Sequence, residues 1–224
     1  MTPILDRKMN ATDRFEKPPG NTSLPASGEH FWTSVFAFFL LHLADTPEGK
    51  IRYWKPCSDD SPPWFEANPD IDLPVGGLTI DQLAIEPSSL HRMYSDLGQK
   101  LTGVSPDIVI YQEDPKRLCL IENKVKTGAI LGSNQRSEYP SFVETLTNRN
   151  IDARLFVLMS YGCQKLFNDT KLLYKRLGDK FGIFLWEDVF RQMGEVGSGL
   201  PGLKPQELKL YCREGKEECR GWDA

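Results

Sequence analysis

Three side chains in the middle of this 224-residue chain stand out by type and spacing: Asp107, Glu122 and Lys124. They border or interrupt two apolar runs, Ser105-Pro-Asp-Ile-Val-Ile-Tyr111 and Leu118-Cys-Leu-Ile-Glu-Asn-Lys124. Two carboxylates can hold a divalent cation, and an ammonium group beside them can orient or help deprotonate a water. Those are the needs of metal-assisted hydrolysis. On an otherwise apolar sheet such groups are costly unless a metal ion or a charged partner offsets the desolvation. The plainer alternative is a surface ion pair between Glu122 and Lys124 on an edge strand, with Asp107 turning the chain after Pro106.

Both runs read as short strands, and Gln112-Glu-Asp-Pro-Lys-Arg117 between them is turn chemistry. Alternation along a strand puts Glu122 and Lys124 on one face, and a hairpin brings Asp107 beside them. A helix is expected from about Ser133 to Asn148, bent near Pro140. It carries Gln135 and Tyr139 one turn apart. Gln135 can bond the lysine or a phosphate, and Tyr139 can stack on or bond a substrate.

Pro106-Asp107 followed by Glu122-Asn123-Lys124 on the next strand resembles the motif of the PD-(D/E)xK nuclease superfamily. Gln135-Arg-Ser-Glu-Tyr139 is similar to the Gln-x-x-x-Tyr element of its RecB-like branch, and Glu29 opens an apolar helix as an acidic residue does in many members. The resemblance spans about residues 29–190. It implies a restriction-endonuclease-like α/β fold, a three-layer α/β/α core around a mixed sheet of four to five strands. It implies a nuclease dependent on Mg²⁺ or Mn²⁺, endo or exo, with DNA expected ahead of RNA and a place in defence or genome maintenance. Asp107, Glu122, Lys124, Gln135 and Tyr139 are then the catalytic set. The metal ligands are Asp107, Glu122, the Asn123 backbone carbonyl and Glu29. A nuclease fold used as a non-catalytic binding or inhibitory module is the alternative.

The rest of the chain fits one domain with additions. Residues 1–28, rich in Pro, Gly, Ser and Thr, read as a loose or partner-binding arm, 29–193 as the nuclease-like domain, and 194–224 as linker and tail. Within the domain, Lys50–Trp54 reads as a strand, 55–77 as an irregular insertion, 88–98 as a helix, 154–159 and 181–186 as strands, and 163–177 and 187–193 as helices. Strand, helix, strand, helix is α/β order.

Net charge is −4 overall, but residues 116–180 carry +6 against −8 for residues 1–115. A phosphate-rich substrate could be steered to that basic stretch, where Lys126, Lys165, Lys171, Lys175 and Arg176 are candidate backbone contacts. Five scattered cysteines and no apolar leader point to reduced thiols and a cytoplasmic, soluble protein away from membranes. A protein partner or a homodimer is left open.

Overall fold

Alternating side chains along the central hairpin divide the interior into two apolar layers. The structure is a computed structural model that describes residues 28–57, 65–85, 105–125, 129–159, 164–186, 188, 189 and 192. In chain order the elements are α1 (Gly28–Ala44), β1 (Lys50–Pro56), β2 (Phe65–Pro74), a 3₁₀ turn (Ile80–Gln82) and β3 (Leu83–Ile85). They continue with β4 (Ile108–Glu113), β5 (Lys116–Lys124), α2 (Ser133–Thr147), β6 (Asp152–Met159), α3 (Gln164–Leu177), a second 3₁₀ turn (Gly178–Lys180) and β7 (Phe181–Leu185).

The strands form one mixed sheet of seven in the order β2-β1-β7-β6-β5-β4-β3. β5, β6 and β7 are parallel and linked through α2 and α3, while β4 pairs antiparallel with β5 and β1 with β7. Cys119 and Ile121 of β5 pack toward α1, with Trp32, Phe36 and Phe184. Leu118 and Leu120 pack on the other face, toward α2 and α3, with Phe142, Leu146, Leu166 and Leu173. Helices on both faces explain why β5 and β6 read as continuous apolar runs. In α1, Trp32, Phe36, Phe39 and Leu40 are all essentially buried. Burial pushes the Cys119 thiol up to about 12, so it packs as a small apolar group.

The α/β order holds, and the sheet is larger than the four to five strands expected. β2 lies inside the 55–77 stretch read as irregular, and pairs antiparallel with β1 across a register shift between Arg52 and Trp54. Its Pro69 and Pro74 disguise it, yet β2 ends the sheet among the described residues, and proline is tolerated on an edge strand. β3 is three residues long, too short for alternation to show. The expected turn at 112–117 is tighter, because the β4–β5 ladder runs from Ile108↔Ile121 to Glu113↔Lys116. α2 continues through Pro140 to Thr147. The expected helix at 88–98 lies outside the described residues. Of 187–193, Asp188, Val189 and Gln192 are helical, as is Trp186 before them. Among the described residues no helix is long and apolar enough to cross a membrane.

Candidate functional site

The β4–β5 ladder sets the geometry. It starts at Ile108↔Ile121, so one further step puts Asp107 across from Glu122. Asp107 Oδ2 accepts the backbone N–H of Asn123 at 2.7 Å, which ties the end of one strand to the other at the point where the carboxylates meet.

Glu122 is 2% exposed, near the end of an interior strand of the sheet and on the α2 face. The plainer reading of an exposed edge-strand ion pair is therefore corrected: β5 has β4 on one side and β6 on the other. Three side chains replace water around this carboxylate. Lys124 Nζ lies 2.6 Å from Oε1, Gln135 Nε2 donates to Oε1 at 2.6 Å, and the Tyr139 hydroxyl donates to Oε2 at 2.7 Å. A carboxylate offers about four lone-pair sites, two per oxygen. Among the described residues Oε1 meets two donors and Oε2 one. Burial raises the pKa of Glu122, opposed by the charge and hydrogen bond of Lys124 and by the bonds from Tyr139 and Gln135.

The two uncharged donors come from one helical face. Gln135 sits in the first turn of α2, where the Gly132 N–H donates to its Oε1 at 2.8 Å. That bond orients the amide so that Nε2 faces Glu122. Tyr139, four residues on, is 1% exposed. Its pKa is raised by burial and then by the Glu122 charge, so the phenol keeps the proton it donates. In the structure Gln135 and Tyr139 both bond Glu122, and the apolar face of α2 that buries Phe142 and Leu146 takes Tyr139 in with it.

Arg136, in the same turn of α2, donates to Asp169 Oδ1 of α3 at 3.0 Å, and Asp169 Oδ2 accepts the Leu131 N–H at 3.1 Å. Asp169 thereby fixes the chain leading into α2. Nothing local in sequence marks it.

Asn123 points to the opposite face. Its Nδ2 donates to Thr33 Oγ1 of α1 at 3.0 Å, and its Oδ1 accepts from Trp186 Nε1 at 3.2 Å. Among the outlying candidates, Glu29 lies in the first turn of α1, its side chain outside the described part of the structure, as is that of Lys165. Lys126 lies outside the described residues altogether. Lys171 Nζ stands 5.4 Å from the centroid of the Phe167 ring, and Lys175 is exposed. The Arg176 fork bonds Glu144 on the surface, with both bonds at 2.7 Å.

Among the described residues no group of three or more His, Cys, Asp or Glu side chains is gathered for a metal. Mg²⁺ is nevertheless commonly held by one or two carboxylates, completed by water and substrate oxygens. Two hard carboxylates, one of them buried with a raised pKa, fit such an ion by the chemistry of the donor set. Comparison with protein-family models, with curated proteins and with solved structures found no match.

Proposed function

We propose that this chain is a metal-dependent nuclease that hydrolyses phosphodiester bonds, in DNA ahead of RNA. One observation carries the reading: a carboxylate, Glu122, is buried beside Asp107 and held by Lys124, Gln135 and Tyr139. A fold with only structural needs gains little from this, since replacing a buried ion pair by apolar groups is often neutral or stabilising.

Asp107, Glu122 and the Asn123 carbonyl would hold Mg²⁺ or Mn²⁺, which supplies Lewis acidity toward a phosphoryl oxygen and a more acidic water. Gln135 and Tyr139 keep Glu122 ionised and fixed in orientation. Lys124, at the end of β5, is placed to hold an attacking water or to stabilise charge growing on the phosphoryl oxygens. Its bond to Glu122 occupies it until a competing cation weakens that contact. The basic excess between residues 116 and 180 favours approach of a polyanion.

The test is cleavage of labelled single- and double-stranded DNA and RNA, linear and circular, with Mg²⁺, Mn²⁺ or EDTA. Wild type is compared with Asp107→Asn and Lys124→Ala. Metal-dependent cutting that both variants lose supports the proposal, and circular substrates separate endo- from exonucleolytic action. Failure of the wild-type protein to cut any substrate turns the reading toward a non-catalytic binding module.

A further inference from the structure

The side chain between Glu122 and Lys124 of β5 has no part in the chemistry above. Asn123 is 0% exposed, on a strand face whose other members, Cys119 and Ile121, are apolar. Leucine would fill that space without burying a carboxamide. What a carboxamide adds is direction, because it donates at one end and accepts at the other. Here the donor end meets Thr33 of α1 and the acceptor end meets Trp186, just past β7. Trp186 in turn packs edge-on against Trp32 and Phe36 of α1, with centroids 5.7 Å and 6.0 Å apart. The backbone N–H of the same residue holds Asp107. One residue therefore joins β4, β5, α1 and the chain leaving β7.

We propose that Asn123 is a positioning residue whose side chain docks the first turns of α1 onto the site strand. The inference rests on the nuclease reading and assigns a specific device within it. Fixing the Asn123 side chain to Thr33 holds the point of β5 whose backbone N–H anchors Asp107 and whose carbonyl stands among the proposed ligands. Apolar packing of α1 alone tolerates small slides and rotations, whereas a directed bond to Thr33, beside a Trp186 held by the same carboxamide, does not. Misplacement by about 1 Å is enough to cost on the order of 100-fold in rate.

The experiment uses the full chain and two variants. Asn123→Leu removes both side-chain bonds at similar volume, and Thr33→Val removes only the α1 arm. Mn²⁺ affinity is measured by titration on each protein without nucleic acid. Steady-state cleavage and thermal unfolding are measured in parallel. The expected result is a loss of about 10- to 100-fold in Mn²⁺ affinity or kcat for Thr33→Val, with KM for DNA unchanged, the scale usual for residues that orient metal ligands. If Asn123→Leu fails to fold, Thr33→Val decides alone. Mn²⁺ affinity and kcat within twofold of wild type, with only the unfolding temperature lowered, would overturn the inference and leave the nuclease reading intact. Wild-type protein that binds Mn²⁺ without cutting nucleic acid sinks the nuclease reading, while the affinity comparison still judges the inference. Wild-type protein that binds no Mn²⁺ overturns both.

Discussion

Tyr139 donates its hydroxyl hydrogen to Glu122 Oε2 at 2.7 Å, and the two residues are 1% and 2% exposed. One turn earlier Gln135 serves the other oxygen. A single helical face thus takes the place of the hydration shell that a carboxylate loses inside a protein. Leaving a buried charge without such partners costs several kcal/mol, about what burying two or three large apolar side chains returns.

Tyr139→Phe keeps the ring and deletes the donor. The burial that raises the Glu122 pKa is then opposed only by Lys124 and Gln135, so the pKa rises further. A group raised in the folded state lends stability that is full below its unfolded pKa and lost as pH rises through the folded value. The variant's deficit is therefore expected to be small in acid and to reach about 1–3 kcal/mol at neutral pH and above. The acid limb of the cleavage rate should shift to higher pH. Urea unfolding at several pH values and a pH–rate profile check both, and an unmoved limb would show that this bond does not set the ionisation of Glu122.

Gly182 in β7 stands opposite Phe156 of β6, and a Cβ there would lie 2.5 Å from Tyr53 Cδ2 and 2.7 Å from Phe156 Cε1. Those rings cannot swing away. Tyr53 meets Phe156 edge-on at 5.2 Å, and Phe156 stacks on Phe184 at 4.6 Å. Gly182→Ala is expected to destabilise by about 1–3 kcal/mol through overpacking, against the usual benefit of alanine over glycine in a strand. An unchanged denaturation midpoint would mean that the aromatic layer yields.

The hairpin was legible in sequence because its signals are local. Alternation fixes which side chains share a face, and turn residues close the strands. The same rule placed Glu122 and Lys124 together, and four-residue spacing placed Gln135 and Tyr139 on one helical face. What those two bond was not legible. An amide or a phenol on a helix reads alike whether its partner is a substrate or a carboxylate thirteen or seventeen residues back. The contact of Asn123 with Thr33 joins residues 90 apart, and no pattern along the chain encodes it. β2 was hidden by its prolines and β3 by its length, both edge properties that a neighbouring strand or its absence decides.

Asp152, at the start of β6, accepts hydrogen bonds from Arg117, Arg154 and Lys180 at 3.0–3.1 Å. Burial pulls its pKa upward, but the bonds from Arg154, Lys180 and Arg117 outweigh it and hold the carboxyl well below the usual range. A depressed pKa lends stability that is present above the unfolded value, about 3.9, and lost as pH falls through the folded one. Asp152→Asn is expected to cost on the order of 1–3 kcal/mol at pH 7 and to flatten the acid side of the stability curve, so that the deficit shrinks below about pH 4. Urea midpoints across that range test it. A deficit independent of pH would assign the effect to shape and not to charge.

Lys124→Ala leaves the Glu122 anion without the ammonium group now 2.6 Å from its Oε1. Removing one member of a buried pair costs about 3–5 kcal/mol, and the loss here falls toward the lower end because the Lys124 side chain is 14% exposed and water can reach it. The sign with pH follows from Glu122. Its pKa, already raised by burial, climbs further once the main opposing charge is gone, and the folded state takes up a proton that the unfolded chain releases. The loss should therefore be larger at pH 8 than at pH 5. Glu122→Gln in the Lys124→Ala background removes the stranded charge and should recover much of the loss at pH 8, a coupling that a double-mutant cycle reads directly. Mg²⁺ should stabilise Lys124→Ala more than the double variant, since only the former presents a stranded buried carboxylate for the ion to neutralise. Equal losses at both pH values, with no coupling in the cycle, would show that the charge on Lys124 does not keep Glu122 ionised.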